Sequence, residues 1–298
     1  MTIDKILINH EDIRLELKKD LTKFTTMRLK ATGDLITVTS VEGLKLCLKS
    51  LFENNLNYRI LGMGANQLIP STSDIPYLKL AIPFDKSYLS EVRDTYVLPA
   101  SVTLSILSSH AVKFGLTGWE AFTGIPATLG GAVFMNAGTN LGEIGKLITK
   151  VYLIDKLGNE KIIEIGKDSF SYRSNNFLAD GDFIYQVEMR HLGINNEISE
   201  VIKKYLDLRN RTQPLKEWTC GCVFKNNKGK RTCLAGKFID ILGLKGLTSN
   251  GMRISPKHAN FMENVDSAAH EDVVALIKII KDELHLQYGV EFETEVKL

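Results

Sequence analysis

Two glycine-dense stretches carry the strongest chemical signal in this sequence. Leu61-Gly62-Met63-Gly64-Ala65-Asn66-Gln67 follows a short apolar strand pattern. Glycine tolerates positive φ and lets backbone N–H groups come close to a phosphate. Gln67 stands where a Rossmann fingerprint has its third glycine, and Ile69-Pro70 argues against the helix that fingerprint requires. No Gly-Lys-Ser/Thr follows, so the loop is not a P-loop. A plain tight turn would use the same glycines. The second stretch is richer: Gly124-Ile125-Pro126-Ala127-Thr128-Leu129-Gly130-Gly131-Ala132-Val133-Phe134-Met135-Asn136-Ala137-Gly138. It is apolar enough to bury itself while offering backbone donors and no bulky side chains. That combination suits the pyrophosphate and ring edge of a large flat cofactor. Small residues for close packing are the alternative reading. Two such loops in one region favour a nucleotide cofactor.

Other residue types offer less on their own. Arg173 suits a carboxylate partner but, on its own, reads more readily as a surface arginine ending a strand. Glu295 falls in an alternating terminal segment, where the pattern alone places it on a solvated strand edge. Of the four cysteines, Cys220, Cys222 and Cys233 lie close in sequence, but their spacing does not match paired zinc knuckles and no fourth ligand is near. No metal site is expected, and Cys47 and the others are not expected to form structural disulfides.

The elements that must position these residues form an α+β pattern. Ile36 to Thr39 reads as a strand, and Ser40 as the N-cap of a helix carrying Leu44, Cys47, Leu48, Leu51 and Phe52 on one stripe. Tyr58 to Leu61 and Tyr96 to Pro99 read as strands. Leu104, Leu107, Ala111 and Phe114 predict a second helix closed by Gly115. Leu147 to Asp155 and Glu160 to Ile165 predict a hairpin turning at Gly158, and Asp182 to His191 a further strand. Ile198, Val201, Ile202 and Tyr205 mark a charged amphipathic helix. The longest helix is expected from near Ser267 to a cap at Gly289. Val290, Phe292, Thr294, Val296 and Leu298 then predict a closing strand with one apolar face.

A chain of 298 residues favours two domains, and the change of pattern near Gly193 suggests 1–193 and 194–298. The net charge is +2, with basic residues scattered, which gives no electrostatic case for nucleic acid or an anionic membrane. Nothing resembles a signal peptide or an apolar run of ~18 residues, so a cytoplasmic location is expected.

The ordered motifs resemble the UDP-N-acetylenolpyruvoylglucosamine reductase family, also called UDP-N-acetylmuramate dehydrogenase, over residues from about Leu21 to the last. They are Thr25-Thr26-Met27-Arg28, Gly62 to Gln67, Gly124 to Gly138, Phe170-Ser171-Tyr172-Arg173-Ser174, Gln213-Pro214, Cys220 to Asn226, Gly243-Leu244-Lys245-Gly246, Lys257 to Phe261 and Glu293 to Val296. Each is weak alone; the series in order is specific. Ala31-Thr32 stands where the family usually has two glycines, Ala65 and Cys222 where it has serine, Ala127-Thr128-Leu129 where it has Gly-Thr-Val, and Asn227 where it has proline. The chain has no room for the insertion of the longer type I members and is similar to type II.

This resemblance implies a two-part FAD-binding domain of the vanillyl-alcohol-oxidase (PCMH) type and a smaller α+β substrate-binding domain. It implies reduction of UDP-N-acetylglucosamine enolpyruvate to UDP-N-acetylmuramate for peptidoglycan, with FAD as cofactor and NADPH as co-substrate. No obligate protein partner is implied. Arg173, Cys222 and Glu295 take the catalytic positions. Gly62, Met63, Gly64, Ala65, Asn66, Gln67, Gly124, Ile125, Pro126, Gly130, Gly131, Asn136, Ala137 and Gly138 take the flavin positions. Tyr172, Gln213, Lys225, Asn226 and His258 take substrate positions, although His258 is as readily a structural hydrogen-bonder. Another FAD oxidoreductase of the superfamily, or a flavin- or nucleotide-sugar-binding protein without turnover, would share part of this series.

Overall fold

The computed structural model describes residues 10–228 and 232–298. The chain separates into two compact units that share it discontinuously. The first holds the segment ending at Leu17, Asp34–Gly62 and Ile75–Leu206; the second holds Lys18–Gly33, Met63–Asp74 and Asp207–Leu298. A single cut near Gly193 does not reproduce this division. Met27, Leu29 and Leu68 are buried in one core with Phe224, Ile254, Leu276 and Val296, so their segments group with the C-terminal residues.

The sheet that opens the chain has the order β1-β2-β4-β3, made by β1 (Ile13–Asp20), β2 (Thr32–Val38), β3 (Arg59–Ile60) and β4 (Thr72–Leu80). Between β2 and β3 lies α1 (Val41–Glu53), where the Ser40 hydroxyl accepts the Gly43 N–H and so satisfies one donor of the first turn. Its stripe of Leu44, Cys47, Leu48 and Leu51 is fully buried.

A second sheet, wholly in the first unit, has the order β5-β12-β8-β9. It comprises β5 (Thr95–Pro99), β8 (Ile148–Ile154), β9 (Glu160–Glu164) and β12 (Phe183–Arg190), all antiparallel. The β8–β9 turn is closed by the Asp155 carboxylate, which accepts from the Leu157 and Asn159 amides. Helix α2 (Leu104–Phe114) ends at Gly115 in the left-handed region. It covers a buried aromatic group of Tyr96, His110, Trp119 and Phe122.

The second glycine stretch, expected as a loop, contains a short helix, α3 (Leu129–Phe134). Thr128 caps it, and the absence of a side chain at Gly130 lets its backbone meet Ala100, where a Cβ would come within 2.8 Å. Small residues here serve close approach as well as backbone exposure. Two tight hairpins follow: β6 (Gly138–Thr139) with β7 (Gly142–Glu143), and β10 (Phe170–Ser171) with β11 (Ser174–Asn175). Helix α4 (Ile198–Thr212) carries the chain from the first unit to the second.

In the second unit, β13 (Asn227–Lys228) pairs β14 (Thr232–Cys233), α5 (Ala235–Ile241) follows, and β15 (Thr248–Ser249), β16 (Met252–Ile254) and β17 (Met262–Asn264) form a meander. Helix α6 (His270–Tyr288) buries Val273, Leu276, Ile277, Ile280 and Leu284. It starts three residues after Ser267, because Ser267 sits at φ 51° and the Asp272 carboxylate instead receives the Ala269 N–H at 2.9 Å.

The closing strand is corrected. Val290 to Leu298 forms no regular strand; Phe224 bridges Thr294 and Gln67 bridges Lys297 as isolated pairs. Two different short partners leave no continuous ladder. The alternation survives in part: Phe292 and Val296 are buried, while Leu298 is exposed. Among the described residues, no helix is long and apolar enough to cross a membrane.

Candidate active site

In the first unit, Gly62 follows β3 and comes beside the cap of α3. A Cβ on Gly62 would meet only the Thr128 hydroxyl, at 3.1 Å, and one on Gly131 only the same hydroxyl, at 3.3 Å. Two glycines thus flank one hydroxyl, with open space where their side chains would stand, while the Gly131 N–H itself donates to that hydroxyl at 3.3 Å. Side chains on either residue would fill the cradle. This fits a cofactor that must approach the backbone more closely than a side chain would allow. Gly124, Ile125 and Pro126 lead into it, with Gly124 at φ 70°.

The same stretch ends at Asn136, which is 2% exposed. Its side chain is turned into the protein. Nδ2 donates to the Ser171 carbonyl at 2.9 Å and to the Glu143 carboxylate at 3.2 Å, and Oδ1 accepts the Gly145 N–H at 3.0 Å. Only its backbone remains to face a cofactor. Ala137 is buried, and Gly138 pairs Glu143 in the β6–β7 hairpin.

Arg173 is the second residue of the two-residue turn between β10 and β11, at φ 56°. A non-glycine residue held there costs about 1–3 kcal/mol, so the surrounding structure must over-determine it. The guanidinium donates to the Gly138 carbonyl at 2.9 Å and to the Asn136 carbonyl at 3.4 Å, and lies 5.1 Å from the Tyr172 ring centroid. A strained turn, two carbonyl acceptors and an aromatic face hold one fixed positive charge.

In the second unit, Met63 to Gln67 forms the other half of the first glycine loop. Gly64, at φ 60°, lies so close to Phe24 and Thr25 that a Cβ would stand 2.4 Å from the Phe24 carbonyl oxygen. Thr26 donates its N–H to Gly64 O and its hydroxyl to Thr219 O. This explains why the opening Thr25-Thr26 pair and the glycine loop occur together. Asn66 donates its amide to Glu295 O at 2.9 Å, and its own carbonyl accepts the Lys297 N–H.

Cys222 bridges Phe261, and the Glu295 N–H donates to Val223 O at 2.7 Å. Cys220 lies beside both: burial pushes its thiol up to about 12, with smaller contributions from Cys222 and Glu295. Cys222 and Glu295 are therefore brought together through Val223, near a buried thiol that stays protonated. Cys222 is half-buried, Cys220 buried.

The substrate-position residues are mostly engaged. Lys225 pairs Glu293 at 3.0 Å, and the Asn226 side-chain Oδ1 accepts the Ala235 N–H at 3.0 Å. Gln213 Oε1 accepts from Arg209 Nε at 2.8 Å. His258 Nδ1 accepts the Asn260 N–H, which puts the ring proton on Nε2, and burial lowers its pKa below the usual value. Tyr172 lies in the first unit.

Two residues outside the expected set hold the site together. Asn260, 3% exposed, accepts the Phe224 N–H and donates to the Phe224 carbonyl, acting as a strand partner for the Cys222–Lys225 segment. Glu143 anchors Asn136. An amide among Ala259, Phe261 and Met262 is a signal for the first; Glu143, in an ordinary polar turn, gave none.

The departures at other positions are accommodated. Asn227, where relatives have proline, donates its amide to Glu291 O at 3.0 Å. The Ala31 N–H donates to the Thr22 hydroxyl at 3.4 Å and the Thr32 N–H to the Ser71 carbonyl at 3.0 Å.

A profile of the C-terminal domain of UDP-N-acetylenolpyruvoylglucosamine reductase matches residues 213–298. The reductase of Halalkalibacterium halodurans is 32% identical over 288 residues, covering 95% of this chain and 94% of the relative. That of Clostridioides difficile is 32% identical over 297 residues, covering 98% and 95%. This chain belongs to the UDP-N-acetylenolpyruvoylglucosamine reductase family. The crystal structure of the Thermus caldophilus reductase superposes with a TM-score of 0.78 at 29% identity, covering 96% of this chain and 98% of that one. The family architecture, an FAD-binding domain of the vanillyl-alcohol-oxidase type with a substrate-binding domain, is the architecture of this chain.

Proposed function

We propose that Arg173, Cys222 and Glu295 carry the chemistry of a UDP-N-acetylenolpyruvoylglucosamine reductase, and that the backbone around Gly62, Gly124 to Gly131 and Ala137-Gly138 holds its FAD. The enzyme reduces UDP-N-acetylglucosamine enolpyruvate to UDP-N-acetylmuramate for peptidoglycan, at the expense of NADPH. The observation that carries this reading is similarity to such reductases along nearly the whole of both chains.

FAD held by the backbone around Gly62 and Gly124 to Gly131 would supply hydride chemistry for the vinyl carbon of the enolpyruvyl ether, with NADPH as the source of reducing equivalents. The residues of this chain handle the charge and the proton that this addition requires. Negative charge develops toward the enolpyruvyl carboxylate, and Arg173 presents a fixed cation to it. Its strained turn and carbonyl acceptors pre-organise that charge, so little reorganisation accompanies the reaction. Glu295 anchors or polarises the same carboxylate, a role that needs its carboxyl protonated when substrate is bound. The Cys222 thiol, of a type with a reference pKa of about 8.5, is the proton donor to the adjacent carbon. One hydride and one proton complete the reduction of the double bond.

Tyr172, Gln213, Lys225, Asn226 and His258 are assigned to the sugar nucleotide. The Lys225–Glu293 pair is exposed enough to exchange for a phosphate without burying an unpaired charge. We assign flavin binding chiefly to residues 1–193, substrate binding chiefly to 194–298, and the site of action to the cytoplasm, where NADPH and nucleotide sugars meet.

Purified protein should be yellow, with near-stoichiometric flavin released on denaturation, and should turn over NADPH repeatedly only when the enolpyruvyl sugar nucleotide is present. A protein that takes up no FAD contradicts the reading. One that binds FAD but turns over a sugar or alcohol with oxygen favours another oxidoreductase of the fold.

A further inference from the structure

The turn that carries Arg173 is not held by its own hydrogen bonds alone. Residues Phe170 to Asn175 hang on the segment that ends the second glycine stretch. Asn136 grips the Ser171 carbonyl, Asn175 donates to the Phe134 carbonyl at 2.7 Å, and Arg173 returns two bonds to the carbonyls of Asn136 and Gly138. Asn136 is the hub. Its side chain makes three bonds to two segments: one to Ser171, and two to the β7 residue Glu143 and the Gly145 amide just after it. It sits at φ 45°, a conformation that asparagine tolerates better than most residues. Gly145 and Gly138 leave the room it needs. A Cβ on Gly145 would come 2.8 Å from Asn136 Oδ1 and 2.6 Å from the Phe170 ring, and one on Gly138 would come 2.7 Å from Glu143 Cγ.

We infer that Asn136, braced by Glu143, is a positioning residue for Arg173, fixing the height and direction of the guanidinium through the Ser171 carbonyl and through its own backbone carbonyl. This rests on the reading of Arg173 as the cation for the substrate carboxylate. It removes the Asn136 side chain from the set of flavin contacts and gives it, with Glu143, to the reaction centre instead. A shift of about 1 Å in a catalytic group costs up to a hundredfold, so the brace matters although neither residue meets the substrate. Asn136→Asp keeps shape and left-handed tolerance but replaces both N–H donors with an acceptor facing a carbonyl and a carboxylate. Glu143→Ala removes only the brace. Glu143→Gln keeps an oxygen that still accepts from Asn136.

The test is stopped-flow on the FAD-loaded enzyme, following flavin bleaching by NADPH and its reoxidation by UDP-N-acetylglucosamine enolpyruvate separately. Asn136→Asp is expected to slow reoxidation ten- to a hundredfold and Glu143→Ala about threefold to tenfold, with bleaching within twofold of the parent and Glu143→Gln restoring most of the loss. In an Arg173→Ala background the same substitutions should add nothing further, because their effect runs through the guanidinium. Equal, additive losses with and without Arg173, or equal slowing of both half-reactions, overturn the inference and make Asn136 a fold residue only. Arg173→Ala that leaves reoxidation unchanged overturns the underlying reading instead. Should Asn136→Asp fail to retain FAD, Glu143→Ala against Glu143→Gln decides the question alone.

Discussion

The side-chain amide of Asn66 donates to the backbone carbonyl of Glu295 at 2.9 Å, joining residues 229 positions apart in the chain. The glycine loop and the proposed catalytic carboxylate are thus one piece of structure. Asn66→Ala should lower stability by about 1 kcal/mol, the net worth of a typical hydrogen bond, while Asn66→Asp should cost more because two acceptors would then face each other. Urea midpoints at pH 7 rank the two variants. The reverse order would show that the bond does not hold Glu295 in place.

Arg173 is expected to matter to one half-reaction only. Arg173→Ala should slow substrate-dependent flavin reoxidation on the order of a hundredfold or more, as loss of one preorganised donor does, and leave NADPH-dependent bleaching close to the parent rate. Arg173→Lys should recover little, because the ammonium lacks the forked donors that reach the Gly138 and Asn136 carbonyls together. Rapid-mixing absorbance at the flavin band measures both steps.

Cys222 stands where relatives carry serine, so Cys222→Ser should keep substantial turnover. Cys222→Ala should bleach normally with NADPH and reoxidise slowly with substrate. The thiols also differ in reach: burial pushes Cys47 and Cys220 up to about 12, whereas Cys222 and Cys233 are half-buried. Mass mapping after brief alkylation at pH 8 should find label on Cys222 and Cys233 and none on Cys47 or Cys220. Substrate should protect Cys222. Unchanged reoxidation in Cys222→Ala would assign the proton to another donor.

Acid should loosen the first unit through His110. The ring is buried, donates or accepts one bond with the Tyr96 hydroxyl at 3.0 Å, and has its pKa lowered, chiefly by desolvation. The folded state therefore binds fewer protons than the unfolded state between the folded pKa and about 6.5. Stability falls as pH drops through that window, by at most about 1.4 kcal/mol per unit, and does not change further once both states are protonated. His258 acts in the same direction. His110→Gln should flatten the difference between urea midpoints at pH 7.5 and pH 5, read by the fluorescence of the neighbouring Trp119. A variant whose midpoints separate as widely as the parent's would assign the acid sensitivity elsewhere.

Local signals were readable where one segment decides its own structure. Ser40 announced α1, Gly115 and Gly289 announced helix ends, and Gly158 between Leu147 to Asp155 and Glu160 to Ile165 announced a hairpin. The helix at Leu129–Phe134 was masked because its glycines and alanine resemble loop composition; their use is close approach to Ala100, a partner 30 residues away in sequence. The terminal alternation suggested a strand, yet its partners, Phe224 and Gln67, lie in separate segments and give single bridges. The site divided in the same way. The ordered motifs point to Arg173, Cys222 and Glu295, whereas Asn260 acts on the backbone of Phe224, 36 residues away, and Glu143 on the side chain of Asn136, contacts that the motifs do not reveal.

The interleaving of the two units also sets a timetable for synthesis. Met27, Leu29 and Leu68 leave the ribosome early, yet the residues that cover them, from Val223 to Val296, come last. At roughly 5–20 residues per second, those apolar side chains wait on the order of ten seconds or longer for their core. During that interval the first unit can close around Trp119 and its sheet, while the two early loops remain tethered to it and uncovered. The nascent chain is therefore a natural client for chaperones that bind short apolar segments. A ribosome stalled near Leu206 should display Met27 and Leu68 to a protease that the finished enzyme resists.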